Sequence, residues 1–187
     1  HRNPLLQDMR VPSSTRWERM VARAREVVDA QVSVRTGFYL RNRIPVFSGH
    51  GRLAGPGRVQ VSEPGGRIWQ LETRHVVLAT GSRPYRPEDV DFRHPRVYDS
   101  DTILGMAHTP RHLIIYGAGV IGCEYASMFA GLGIRVDLVN TRSHLLDFLD
   151  TEISDALSYH LREQGATIRH DEHYAAVQAD DQGVTLR

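Results

Sequence analysis

The chain has 187 residues, 41% of them hydrophobic and 24% charged, enough for one ample core or two small ones. A net charge of +1 gives no strong field for nucleic acid or an anionic membrane, and no run of about 18 apolar residues marks a span, so neither partner is expected. One cysteine, Cys123, excludes an internal disulfide and a CxxC pair; with no signal segment after His1-Arg2-Asn3-Pro4, the expected location is cytoplasmic.

Residues 13–43 read as a long helix. Thr15 with Glu18 suggests a capping box. Trp17, Met20, Val21, Ala24, Val27, Val28, Gln31 and Val34 then follow helical spacing, as in a packed amphipathic helix. Residues 45–79 change character: β-rich runs at 45–48, 58–62, 67–72 and 74–79 are broken by Gly-His-Gly, Gly-Pro-Gly and Pro-Gly-Gly. That pattern predicts a small antiparallel meander. Its last run, His75-Val76-Val77-Leu78-Ala79, is continuously apolar after the His, as a buried central strand would be. Residues 84–111 form a linker rich in Pro, Asp and His, with a short helix near 101–106 capped by Ser100 or Asp99.

A new unit follows. The pattern predicts a strand at 113–116, a helix at 119–131 and a second strand at 134–139. A further helix at 151–164 has Asp150 as N-cap and Gly165 as its stop, and leads to a third strand at 166–169. Residues 174–179 and 184–187 read as an antiparallel pair turning at Asp180-Asp181-Gln182-Gly183.

Between the first strand and its helix lies Gly117-Ala118-Gly119-Val120-Ile121-Gly122, a GxGxxG loop. Alone the motif is common; here a strand precedes it, a helix opens on it, and a second strand ends about 20 residues later, which is the dinucleotide-binding fingerprint. Gly117 permits the tight turn, Gly119 lets a pyrophosphate approach the backbone, and Gly122 allows close helix packing. The N–H groups of Gly119, Val120 and Ile121 and the positive helix end would bind the pyrophosphate.

The end of the second strand sets nucleotide preference. An NAD-specific site has an acid there, which binds the ribose 2′-hydroxyl and repels a 2′-phosphate. Here the run is Val139-Asn140-Thr141-Arg142. Neutral Asn140 can serve a hydroxyl without excluding a phosphate, and Arg142 can pair with one. The expectation is a site that takes both NAD(H) and NADP(H), with Asn140, Thr141 and Arg142 at the ribose; a solvated Arg142 and an NAD preference is the other reading.

Three stretches together resemble a known family: Thr80-Gly81-Ser82-Arg83-Pro84, Tyr98-Asp99-Ser100-Asp101, and Ile115-Tyr116-Gly117-Ala118-Gly119-Val120-Ile121-Gly122-Cys123-Glu124-Tyr125-Ala126-Ser127. They are similar to the flavoprotein (disulfide) reductases that carry two dinucleotide-binding domains, a group including lipoamide dehydrogenase and glutathione reductase. The likeness covers nearly the whole chain. Residues 82–101 and 116–150, with Ser154-Asp155-Ala156-Leu157-Ser158-Tyr159-His160, look most like the members that exchange hydride between the two pyridine nucleotides.

The resemblance implies an α/β, Rossmann-like FAD/NAD(P)-binding fold with a parallel sheet, helices and a small antiparallel meander, truncated at both ends. It implies FAD and NAD(P) as cofactors and hydride transfer from NADPH through FAD to NAD, and the reverse, with both nucleotides using one site in turn. Residues 1–110 would be the later part of an FAD-binding domain and 111–187 an NAD(P)-binding domain incomplete at its C-terminus. Thr80 and Gly81 match a turn on the FAD side. Glu124 matches a Glu that pairs with a Lys of the flavin domain beside the flavin; this chain contains no Lys. The longer parent would be a homo-oligomer, and the isolated piece is expected neither to hold FAD tightly nor to catalyse. A different FAD-linked reductase such as a lipoamide dehydrogenase, or a non-enzymatic dinucleotide-binding module, are the alternatives. An acid at position 140 would favour the first; the flavin-domain-like segment before residue 112 weighs against the second.

Three weaker signals complete the reading. His170-Asp171-Glu172-His173 lacks the closed ligand set of a metal site and reads as a solvated loop. Cys123 reads as a buried, inert thiol. Asp147, Asp150 and Asp155 are not needed as acids, because hydride transfer through a flavin asks little acid–base work of such groups.

Overall fold

A computed structural model of the chain describes residues 13–187, with side chains from Trp17 onward. It divides into two compact units, one of Ala24–Arg83 and one of Pro84–Arg187 together with the described residues up to Arg23. No helix among the described residues is long and apolar enough to cross a membrane.

Helix α1 covers Ser13–Arg41, as the periodicity predicts. Thr15 lies inside it rather than ahead of it, so the expected capping box is not where the helix begins; the Thr15 side chain lies outside the described residues. Only the start of the apolar stripe packs as expected. Trp17 is buried, with Met20 and Val21 against the same core, whereas Val27, Val28, Val32 and Val34 are at least half exposed.

In the smaller unit, β1 (His50–Gly55), β2 (Arg58–Ser62) and β3 (Ile68–Glu72) form an antiparallel meander with β2 in the middle. Alternation decides its covered face: Val61 is buried, and cross-strand Trp69 is half-covered, with Phe47 packed edge-on at 5.0 Å and the Arg67 guanidinium over its ring at 3.8 Å. The runs at 45–48 and 74–79 are not strands, contrary to the sequence expectation. A strand is made by a hydrogen-bonding neighbour, and no described strand pairs with either run. Val77 and Leu78 are accordingly 87% and 71% exposed rather than central and buried.

The larger unit is built on a parallel sheet, ordered β4 (His112–Tyr116), β5 (Arg135–Val139), β6 (Thr167–Arg169), with β5 central. Helix α2 (Val120–Gly131) connects β4 to β5, and α3 (Thr151–Glu163) connects β5 to β6. Position in the sheet explains why β5 is the most apolar in burial: Val136, Leu138 and Val139 are buried. Phe129 and Ala126 of α2 and Leu161 of α3, each with no exposed surface, complete the core. Trp17 stacks on Phe129 at 4.8 Å, and its Nε1–H donates to the Met106 carbonyl at 3.2 Å. Ile103 and Met106 share this core, so the linker residues are packed into the larger unit.

Two caps differ in kind. Asp99 holds the start of the short 3-10 helix Thr102–Gly105: its Oδ1 accepts from the N–H groups of Asp101 and Thr102 at 3.0 and 2.8 Å. Arg86 donates to the other carboxylate oxygen at 2.6 Å. Burial raises the Asp99 pKa, but these hydrogen bonds outweigh it and hold the group at about 2. Asp150 does stand at the N-cap of α3, yet its side chain makes no capping bond, so only the position of that expectation holds. Gly165 follows α3 as its stop. The last pair, β7 (Val177–Ala179) and β8 (Val184–Leu186), is antiparallel, its turn closed by Asp180 Oδ1 accepting from Gln182 and Gly183.

Candidate nucleotide site

The glycine loop sits where β4 meets α2. Gly117 carries φ +108°, a conformation side chains rarely adopt, and its N–H donates to the Val139 carbonyl at 2.9 Å, which ties the turn to the end of β5. Gly122 has a different constraint. A Cβ there would stand 1.8 Å from the Gly117 carbonyl oxygen and 3.6 Å from Ile115 Cγ2, so the helix start is pressed onto the turn itself as well as onto the strand.

Gly119 has neither constraint. Its φ and ψ of −74° and −173° suit any residue, and a Cβ would meet nothing within 4 Å. The internal packing therefore does not explain a glycine here, and the space above its backbone is open. The first bonded N–H of the helix is that of Cys123, to the Gly119 carbonyl at 2.9 Å. The N–H groups of Gly119, Val120 and Ile121 find no backbone acceptor among the described residues, as expected of a helix start that receives an anion. These features fit a dinucleotide pyrophosphate.

Val120, Ile121 and Glu124 share one exposed face of α2. Cys123 points the other way: it is 4% exposed, its Sγ lies 3.4 Å from the Ala118 carbonyl, and burial pushes its thiol up, as an inert core cysteine requires.

Past β5, Asn140 is buried and organises the loop that follows. Its Nδ2 donates to the carbonyls of Arg142 and His144, each at 2.8 Å, and lies 3.2 Å from His170 Nδ1. Its Oδ1 accepts from the Arg142 N–H at 3.3 Å. The donors of Asn140 are thus used inside the protein. Loop 141–146 is then joined to the glycine loop by the Leu146 N–H and the Ala118 carbonyl, and pinned by buried Leu145. Thr141 is half-buried, and exposed Arg142 forms an ion pair with Asp147.

The segment 170–173 packs on the same loop: Glu172 N–H donates to the Asn140 carbonyl and Asp171 N–H to that of Arg142. Among the described residues no three His, Cys, Asp or Glu side chains gather to hold a metal. Sequence reasoning missed the parts played by Asp147 and His170. Opposite charges five residues apart were a faint hint of the first; nothing local announces the second, 28 residues beyond Arg142. Thr80 and Gly81 lie in the other unit, exposed, outside any strand or helix.

Residues 5–187 match the family described as pyridine nucleotide-disulphide oxidoreductase. The chain is 53% identical over 184 residues to a soluble pyridine nucleotide transhydrogenase of Pseudomonas putida (strain GB-1), and 54% identical over 184 residues to one of Pseudomonas aeruginosa (strain LESB58). In each case the match covers 98% of this chain and 40% of the relative, so the chain spans about two fifths of their length. Among solved structures, the copper(II) complex of the HOCl-induced flavoprotein disulfide reductase RclA from Escherichia coli is 28% identical, with a TM-score of 0.78 over 90% of this chain and 38% of that one. LpdA from Mycobacterium tuberculosis, 24% identical, shares the fold with a TM-score of 0.80 over 98% of this chain and 40% of its own. A βαβ unit with this glycine turn and a family match over nearly every residue lead to one conclusion: the chain belongs to the pyridine nucleotide-disulphide oxidoreductase family.

Proposed function

We propose that the chain supplies the NAD(P) site of a flavin-dependent enzyme that moves hydride between NADPH and NAD, a soluble (Si-specific) pyridine nucleotide transhydrogenase. The observation that carries this reading is the end of β5. Where an NAD-only site has an acid, this chain has a buried neutral Asn140 with the cation Arg142 beside it. Transhydrogenase relatives at 53–54% identity support it.

In this reading Gly117, Gly119 and Gly122 form the pyrophosphate cradle, with the N–H groups of Gly119, Val120 and Ile121 as donors. Arg142 meets the 2′-phosphate of NADP(H), while Thr141 and Asn140 border the ribose. The committed donors of Asn140 make it chiefly a positioning residue that sets where Arg142 stands. FAD, when bound, supplies the acceptor that takes hydride from one nucleotide and returns it to the other. Thr80 and Gly81 would lie on the FAD side, and Glu124 would pair with a Lys of the flavin domain, a residue type this chain lacks. Residues 1–110 then belong to an FAD-binding domain and 111–187 to an NAD(P)-binding domain. The parent enzyme would be a cytoplasmic homo-oligomer.

Titrating the chain with NADH and with NADPH tests this. Dissociation constants within about tenfold of each other are expected, a difference under about 1.4 kcal/mol. Binding of NADH more than about a hundredfold tighter would instead support a dehydrogenase or an NADH-sensing module.

A further inference from the structure

Asp147 stands out because its carboxylate holds the one cation assigned to the 2′-phosphate. Arg142 Nη1 pairs with Asp147 Oδ1, and the two side chains are 63% and 48% exposed. Neither is locked in the core, so the pair can open. The backbone beneath them is fixed on both sides. Asn140 anchors the Arg142 and His144 carbonyls, and the Leu146 N–H reaches the Ala118 carbonyl of the glycine loop. Leu146, next to Asp147, has φ +47°, an uncommon conformation for a leucine, and marks the bend at which Asp147 turns back towards Arg142.

We infer that Asp147 is a specificity-determining residue that stands in for the 2′-phosphate when the bound nucleotide lacks one. The inference rests on the assignment of Arg142 to the 2′-phosphate. With NAD(H) in the site, Arg142 keeps its carboxylate partner and no cation is left uncompensated. With NADP(H), a 2′-phosphate carrying about −1.5 to −2 charge offers more acceptor oxygens than the carboxylate and displaces it. Displacing Asp147 lowers the net gain from the phosphate. The residue therefore draws the two affinities together, as a site that must admit both nucleotides in turn requires.

The test measures the affinity of the chain for NADH and NADPH by titration, in the wild type and in Asp147→Asn, Asp147→Glu and Arg142→Ala. Asp147→Asn is expected to shift the ratio about two- to fivefold towards NADPH at low ionic strength, the range an exposed ion pair supports, and less at high salt. Asp147→Glu restores the wild-type ratio, which a purely structural loss would not do. If Arg142→Ala shifts the ratio towards NADH while Asp147→Asn leaves it unmoved, the role of Asp147 is overturned and that of Arg142 stands. If neither variant moves it, the assignment of Arg142 fails, and the inference with it.

Discussion

Replacing Gly122 or Gly119 with alanine separates two reasons for a glycine in one loop. In Gly122→Ala the new methyl starts 1.8 Å from the Gly117 carbonyl oxygen and must retreat by about 1.2 Å to reach even the 3.0 Å limit of real contacts. That neighbour is backbone, so no flexible side chain can swing away. Either the turn or the start of α2 moves, at the upper end of the about 1–3 kcal/mol that overpacking costs. The N–H cradle moves with it, and NADH affinity is expected to fall more than about tenfold. Gly119→Ala meets nothing within 4 Å and keeps an ordinary φ, so its stability stays within about 0.5 kcal/mol of wild type. Its methyl nevertheless stands in the space assigned to the pyrophosphate, so nucleotide binding is lost. Urea unfolding followed by circular dichroism measures the first quantity, and NADH titration the second. Wild-type stability in Gly122→Ala, or full NADH binding in Gly119→Ala, would refute the reasoning.

Three further outcomes are expected. Asp99 has a folded pKa of about 2, below the unfolded value of about 3.9, so its contribution is complete above that value and fades as pH falls from about 4 towards 2. Asp99→Asn should cost about 1–2 kcal/mol at pH 7 and little at pH 2, read from urea unfolding at the two pH values. Asn140→Asp, the change that nominally creates an NAD-type site, replaces donors to two carbonyls with a carboxylate. It should lower stability by about 2–3 kcal/mol and disorder the Arg142 loop before it improves NADH selectivity, as thermal unfolding and NADH titration would show. Cys123, buried with its thiol pushed up, should react with a thiol reagent at pH 8 far more slowly in the folded chain than in urea.

The glycine loop and its strand–helix–strand frame were legible because their causes are local. A positive φ at Gly117 and the start of α2 depend on residues within one turn, and Val136, Leu138 and Val139 mark a strand by their own β-prone side chains. The segment 75–79 shows the opposite case. Its Val-Val-Leu run is more continuously apolar than β5, yet it forms no strand here, because propensity cannot supply a hydrogen-bonding neighbour. The stripe on α1 misled in the same way: helical spacing identifies a face, but whether Val27 or Val34 is covered depends on what lies against it.

At the site, the sequence by itself determined that a GxGxxG loop joins a strand to a helix and that no acid ends β5. Only the tertiary structure decided what the residues at that strand end do. Asn140 reads locally as a free polar side chain, but the folded chain brings the Arg142 and His144 carbonyls and His170 around it and turns it into the anchor of a loop. Arg142 reads as a free cation, and a bend at Leu146 returns Asp147 to it. The physical reason is that the chemical type of a side chain is fixed by its own atoms, whereas its availability depends on partners brought in from elsewhere along the chain.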